Sequence, residues 1–401
     1  MSSPQESPAS GTQQQLSTLS GDLWYMIFEL IEEDVQDINR RTLNHPILPL
    51  LLVSKTWKSI ATPLMYRSAI FTNMANLEKF GQHLATRHWG DACPGDFVRH
   101  FRLYRNLLAQ ERPHVNLVTS LAKNLLSFTA MNISNREVVQ IADTAALSLR
   151  SLDVHVNSEE SIEPILRPIQ RLTELRRLVF KQDRRPSNDE KLDGIDFLCL
   201  PNLTYLDVCV AGGSWGDIMA YFYYGHFKSL QHLVLYSIDD TFSEALFTML
   251  RAHGMRLTHL DYIPAGIERF PTGFPKEALP NLEHVDLHDF DIDAFPEALW
   301  FTDLPASVRH LHIQCSPDEC DGLADRLDNV ICQHPQLPFQ HIHLDNLSWP
   351  ELLEDDPEEA AYLARSAQRL RKSRGISLVD KKGLTLRWIL EPGLPGSESS
   401  G

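Results

Sequence analysis

Five histidines recur at one place in a repeating pattern. His232, His259, His284, His310 and His341 stand 25 to 31 residues apart, each third in a short apolar segment such as Leu230-Gln231-His232-Leu233-Val234-Leu235. Asp261 and Asp286 follow two of them at a distance of two residues, and His312 and His343 follow the last two in the same way. Three chemistries fit these residue types. Neutral imidazoles are good zinc ligands. Imidazoles beside carboxylates also titrate near neutrality, which suits a pH-sensitive or acidic-peptide-binding surface. The third reading is an ordinary one, in which His occupies a half-exposed strand position and hydrogen-bonds a neighbouring strand. We expect the third, because nothing in the row supplies a closed tetrahedral shell; no metal and no cofactor are expected.

The elements that must position these groups are read from the apolar residues around them. A pattern apolar at i, i+3 and i+5 starts at Val98, Leu125, Leu149, Leu175, Leu203, Leu230, Leu257, Leu282, Val308 and Phe339, at intervals of 24 to 31 residues. A period of that size marks a stack of similar units. Within each start, i+3 and i+5 fall on one face of a strand and i+2 and i+4 on the other. Between the strands lie stretches with helical spacing, such as Phe242, Ala245, Leu246, Met249 and Leu250, or Ile162, Ile165, Leu166 and Ile169.

Strand, turn and helix in about 26 residues resembles the leucine-rich repeat, over residues 98–346. Two departures are visible: the small Ala130 replaces a large apolar residue, and the Asn or Cys usual after the strand is mostly missing. The resemblance implies an α/β solenoid, a horseshoe of about ten strand-helix repeats whose concave face carries the wet strand positions. Recognition of a protein substrate is expected there, on His100, Arg102, Arg177, Lys181, Tyr205, Asp207, His232, Tyr236, His259, Asp261, His284, Asp286, His310, His312, His341 and His343. Position i+6 adds His288, Gln314 and Asp345 to the same face.

Composition sets limits. With 401 residues and 43% apolar content the chain can bury a sizeable core. A formal net charge of −16 opposes nucleic-acid binding, which needs a basic field. No apolar run reaches the ~18 residues of a membrane span, and residues 1–15 are rich in Ser, Pro and Gln without a charged-then-apolar leader. An intracellular protein, cytoplasmic or nuclear, is expected. Cys93, Cys199, Cys209, Cys315, Cys320 and Cys332 show no C-x-x-C spacing, so neither a disulfide framework nor a zinc finger is indicated.

The N-terminal region carries a second pattern. Leu23, Met26, Ile27, Leu30 and Ile31 form one helical stripe with Ser20 available as N-cap. A second apolar helix is expected from about Ile47 to Ala61, and Thr62-Pro63-Leu64-Met65-Tyr66-Arg67 closes the unit. Leu19, Leu23, Ile27, Leu50, Leu52, Val53, Ser54, Lys55, Trp57, Ala61, Pro63, Leu64, Tyr66 and Arg67 together resemble the F-box over residues 16–67. Ser20 stands where that family has Pro, Asp22 where it has Glu, and the spacer from Glu32 to Pro46 is longer and more polar than usual. The resemblance implies docking to a Skp-family adaptor and, through it, a cullin-RING ubiquitin ligase. Leu19, Leu23, Ile27, Leu52, Val53, Trp57 and Pro63 are the candidate adaptor contacts, with Trp57 the expected anchor. A helical cap shielding the first repeat is the plainer reading of the same segment.

Further features complete the organisation: disordered residues 1–15, a linker and N-terminal cap over 68–97, a C-terminal helix with capping strands over 347–390, and a disordered tail over 391–401. The acidic run Glu351 to Glu359 followed by the basic Arg365 to Arg374 suits one long helix whose charges complement its dipole. Ile376 to Val379 and Leu384 to Ile389 read as edge strands. Arg176, Arg177, Lys181, Arg184 and Arg185 form a basic run suited either to an acidic or phosphorylated segment or to a solvated loop. No Gly-rich phosphate loop, G-x-S-x-G or H-E-x-x-H is present, and no enzymatic role is expected. The chain thus reads as a ligase substrate receptor, with an interaction scaffold uncoupled from ubiquitination as the alternative.

Overall fold

A computed structural model of the chain describes residues 20, 22–28, 30, 47–86, 93–156, 163–182, 198–210, 222, 225–236, 243–263, 275–288, 304–314 and 339–385. It is a mixed α/β structure. Its strands are β1 Ser68–Phe71, β2 His100–Asn106, β3 Ser127–Ile133, β4 Ser151–Val156, β5 Arg177–Gln182, β6 Tyr205–Val210, β7 His232–Tyr236, β8 His259–Ile263, β9 His284–Leu287, β10 His310–Ile313, β11 His341–Leu344 and β12 Ser377–Asp380. Neighbours in the 12-stranded parallel sheet follow chain order, and the sheet does not close. One strand per 24 to 36 residues, always beside the previous one, is consistent with a solenoid-like α/β fold.

The apolar pattern explains this order. Each of β2 to β11 begins two residues after one of the ten starts. The starts themselves are buried, as are the i+3 and i+5 side chains, from Phe101 and Leu103 to Ile342 and Leu344. The small Ala130 is buried like the large residues at the same position of the other repeats, and one repeat position earlier the Phe128 ring stacks on Phe101 at 5.1 Å. A second repeating device lies just before the strands. Asn124, Asn202 and Asn281, each one residue ahead of a start, donate their side-chain amides to the carbonyls of Asp96, Thr173 and Met255 in the preceding unit. These bonds satisfy turn carbonyls that the parallel ladder leaves unpaired.

The chain divides into two compact units, Met1–Arg105 with Ala109–Thr129, and Asn106–Leu108 with Ala130–Gly401. In the first, residues 22–28 are helical (α1), Leu48–Leu52 form a 3-10 turn, and α2 Lys55–Arg67, α3 Met74–Thr86 and α4 Arg112–Leu121 follow. Phe28, Ile47, Ala61 and Leu64 make a small buried core against which Trp24, Leu50, Leu51 and Trp57 pack. The expected single helix over 47–61 is in fact two pieces. Ser54 is extended and its hydroxyl accepts from the Trp57 amide at 3.1 Å, so it ends the 3-10 turn and caps α2. Within 68–97, expected as a linker and N-terminal cap, β1 pairs with β2, so the sheet starts ahead of Val98.

In the second unit, α5 Asn135–Thr144 and α6 Glu163–Gln170 pack on one another. Helix α5 is opened by a reciprocal cap in which the Ser134 amide donates to the Glu137 carboxylate at 2.8 Å. The single long C-terminal helix expected from the charges is two helices, Trp349–Asp355 and Pro357–Arg374. Pro357 disfavours a helical conformation in the residue before it, and Asp356 sits at φ −141°, ψ 87°. Of the two edge strands expected beyond it, β12 forms, and Thr385 makes one antiparallel bridge to Val379. Residues 1–15, the spacer 32–46 and the tail 391–401 lie outside the described residues, as does Leu19. Among the described residues no helix is long and apolar enough to cross a membrane.

Candidate functional site

Parallel pairing in register lines up the i+2 side chains of the second unit. His232, His259, His284, His310 and His341 are partners across successive strands. Their ring centroids lie 5.3, 4.1, 4.3 and 4.9 Å apart, with planes within 17° of parallel. Strands about 4.8 Å apart impose that spacing, and an aromatic ring that thin fills it by stacking. The row extends towards the N-terminus. The Tyr205 ring is 4.5 Å from His232, and the Arg177 guanidinium lies 3.7 Å over the Tyr205 ring.

Stacking has an electrostatic consequence. Burial, reinforced by the neighbouring imidazole, lowers the pKa of His259 and His310, and brings His284 to about 4. A charge on one ring would sit against the next ring and half out of water. These members are therefore neutral at neutral pH, and a cationic surface for acidic peptides does not arise from them.

The i+4 and i+6 columns differ from the row. Asp261 accepts from His232 at 2.7 Å and faces His288 at 3.7 Å; burial pushes its carboxyl up, but the two histidines outweigh this and hold it at about 2. Next to it on β9, Asp286 Oδ1 accepts no hydrogen bond, and burial raises the carboxyl to about 6 against the opposing pull of His312. The His312 ring stacks on His343 at 4.1 Å, its Nδ1 reaching Asp345 at 3.2 Å and its Nε2 Asp286 at 3.8 Å. Burial lowers His312, yet Asp345 and Asp286 raise it overall, whereas burial and the His312 charge bring His343 to about 4. The Asp261 carboxylate raises His288 as well.

Most residues expected on the binding face thus come together in one unit. Lys181 and Arg177 do not stand free: Lys181 Nζ lies 3.6 Å from the Asp207 carboxylate and Arg177 covers Tyr205. The Tyr236 hydroxyl also bonds Asp207, whose desolvation nonetheless raises its pKa. The basic run is therefore partly neutralised within the fold, and Arg184 and Arg185 lie outside the described residues. His100 and Arg102 stand on β2 in the first unit, where His100 Nδ1 meets Ser127 Oγ at 2.8 Å. His288 and Asp345, placed on this face by their i+6 position, engage the central groups: His288 faces Asp261 and Asp345 reaches His312.

In the first unit, Leu23, Met26, Ile27 and Leu30 of the helical stripe are exposed, as are Val53 and Leu52, the latter at 89%. Trp57 points inward. Its ring is 4.6 Å from Trp24 and 5.2 Å from Phe28, which makes it part of the internal packing of α1 and α2. Pro63 lies half-buried inside α2. Comparison with protein-family models and with curated proteins finds no match for the chain.

Proposed function

We propose that the protein is the substrate-recognition subunit of a Skp-cullin-F-box type ubiquitin ligase and is not itself an enzyme. The observation that carries the reading is the exposure of Leu23, Met26, Ile27, Leu30, Leu52 and Val53 on a helical segment whose sequence resembles an F-box. Scattered exposed leucines need no explanation, but a stripe at i, i+3, i+4 and i+7 is the form in which a helix enters an apolar groove. The two internal tryptophans give that stripe a rigid backing. Substrate binding is assigned to the row from Arg177 to His341 and to the columns beside it, a surface of planar, hydrogen-bonding and mutually paired groups. Such a receptor works in the cytoplasm or nucleus.

Co-expression with a Skp-family adaptor tests this. A stable complex that Leu23→Asp disrupts is expected; absence of any complex between wild-type chain and adaptor refutes the proposal.

A further inference from the structure

The register of β8 and β9 sets two carboxylates side by side, since Asp261 and Asp286 are strand partners. His288, two residues past Asp286, closes the third side. One donor atom from each of Asp261, Asp286 and His288 lies within 4.8 Å of the other two, and among the described residues this is the group of His, Cys, Asp and Glu so arranged. Two adjacent carboxylates and an imidazole form an ordinary ion-pair network only if their polar atoms satisfy one another. Here they do not. Asp286 Oδ1 and His288 Nε2 are shielded from solvent and have no hydrogen-bond partner, and the His288 Nε2 to Asp261 Oδ2 separation of 3.7 Å is too long for one. Two donors sharing a metal at about 2.0–2.2 Å stand roughly 3.3–3.5 Å apart; the His288 Nε2 to Asp261 Oδ2 pair is within a few tenths of an ångström of that, and Asp286 would close in from within 4.8 Å.

The groups behind these donors are also those of a metal site. The other oxygen of Asp261 is held by His232 at 2.7 Å. Beside Asp286, His312 is oriented through its Nδ1 by Asp345 at 3.2 Å and turns Nε2 towards Asp286 Oδ1 at 3.8 Å. Hydrogen-bonded carboxylates and histidines in a second layer fix ligand orientation in this way. The stacked row is different, because face-to-face rings do not direct their nitrogens to a common point.

We propose that Asp261, Asp286 and His288 bind one divalent first-row transition cation of the zinc class, with a coordination position left open to water or to an oxygen of a bound molecule. The imidazole favours such a cation over Mg2+ or Ca2+, which prefer all-oxygen shells. This stands independently of the ligase reading, because adaptor binding involves the first unit only.

The test is calorimetric titration of the chelator-treated full-length chain with Zn2+, with Mg2+ in parallel and Co2+ absorption as a probe of coordination. One saturable equivalent of Zn2+ is expected, with Mg2+ at least tenfold weaker. Asp286→Asn and His288→Gln should each weaken Zn2+ at least tenfold, while His341→Gln, at the end of the stacked row, binds as wild type. Absence of saturable Zn2+ binding to the wild-type chain overturns the proposal without recourse to any variant. So does unchanged binding by Asp286→Asn and His288→Gln, or loss of binding in His341→Gln, which would move the metal to the stack.

Discussion

Leu52 and Trp57 separate binding from folding within a few residues of sequence. Leu52 is 89% exposed, whereas Trp57 packs on Trp24 and Phe28. Full burial of a leucine side chain contributes about 1.5–3 kcal/mol, and nearly all of that surface is still open at Leu52. Leu52→Ala should therefore weaken adaptor binding by about 2 kcal/mol, roughly 30-fold in Kd, and change folding stability by less than about 0.5 kcal/mol. Trp57→Ala should do the reverse in kind, lowering stability by about 3–5 kcal/mol through loss of packing. The assays are calorimetric titration with a Skp-family adaptor and urea denaturation of the free chain. If Leu52→Ala binds the adaptor as wild type does, or if Trp57→Ala loses adaptor affinity while keeping full stability, the assignment of inward and outward faces is wrong.

Other outcomes follow from single contacts. His100 is brought from 6.5 to about 4 by burial, then by Arg67, Arg102 and Arg99. Its folded pKa is below the unfolded one, so the unfolded chain gains the proton first and stability falls as pH drops from 6.5 to about 4. The full displacement corresponds to about 3.4 kcal/mol, reduced to about 1 kcal/mol for a half-exposed ring; His100→Gln should lose that part of the slope in urea titrations across this range, and an unchanged slope contradicts it. A Cβ at Gly254 would meet the Ala278 carbonyl, so Gly254→Ala should cost about 1–3 kcal/mol by thermal unfolding; a neutral effect would show that the turn moves freely. His284 stacks on both neighbours at 4.1 and 4.3 Å, so His284→Ala should cost about 1–3 kcal/mol in urea and His284→Phe much less. Equal losses would mean that the ring planes do not matter.

The sheet was legible because its determinant is local and periodic. Leucine-type residues at i, i+3 and i+5 need only alternate to define a strand, and their recurrence sets its neighbours. The two helix breaks were less visible, although both had signals: Pro357 constrains Asp356, and Ser54 three residues before Trp57 is a capping spacing. Charge periodicity overrode the first and continuous apolarity the second. Burial direction within the N-terminal helices was not legible at all, since Trp57, Leu52 and Val53 are equally apolar in sequence and only packing against Trp24 and Phe28 apportions them. For the site, the row of histidines was readable as a column but its charge state was not. That depends on ring-to-ring distances of 4–5 Å, which a sequence does not contain.

The internal neutralisation of the face bears on what it selects. Lys181 faces Asp207, Asp261 lies between His232 and His288, and Arg177 covers the Tyr205 ring, so these charged groups sit against an opposite charge or an aromatic face. Opposed charges at such separations leave little net field beyond one Debye length, about 8 Å at physiological salt. Long-range steering is then weak, and recognition rests on short-range fit to planar rings and to their outward edges. Asp286 is less closely matched. Its Oδ1 is shielded and accepts no hydrogen bond, with His312 Nε2 3.8 Å away, and burial raises its carboxyl to about 6. The face therefore holds a stacked aromatic row and, beside it, shielded carboxylate oxygens of Asp207 and Asp286 that accept no hydrogen bond.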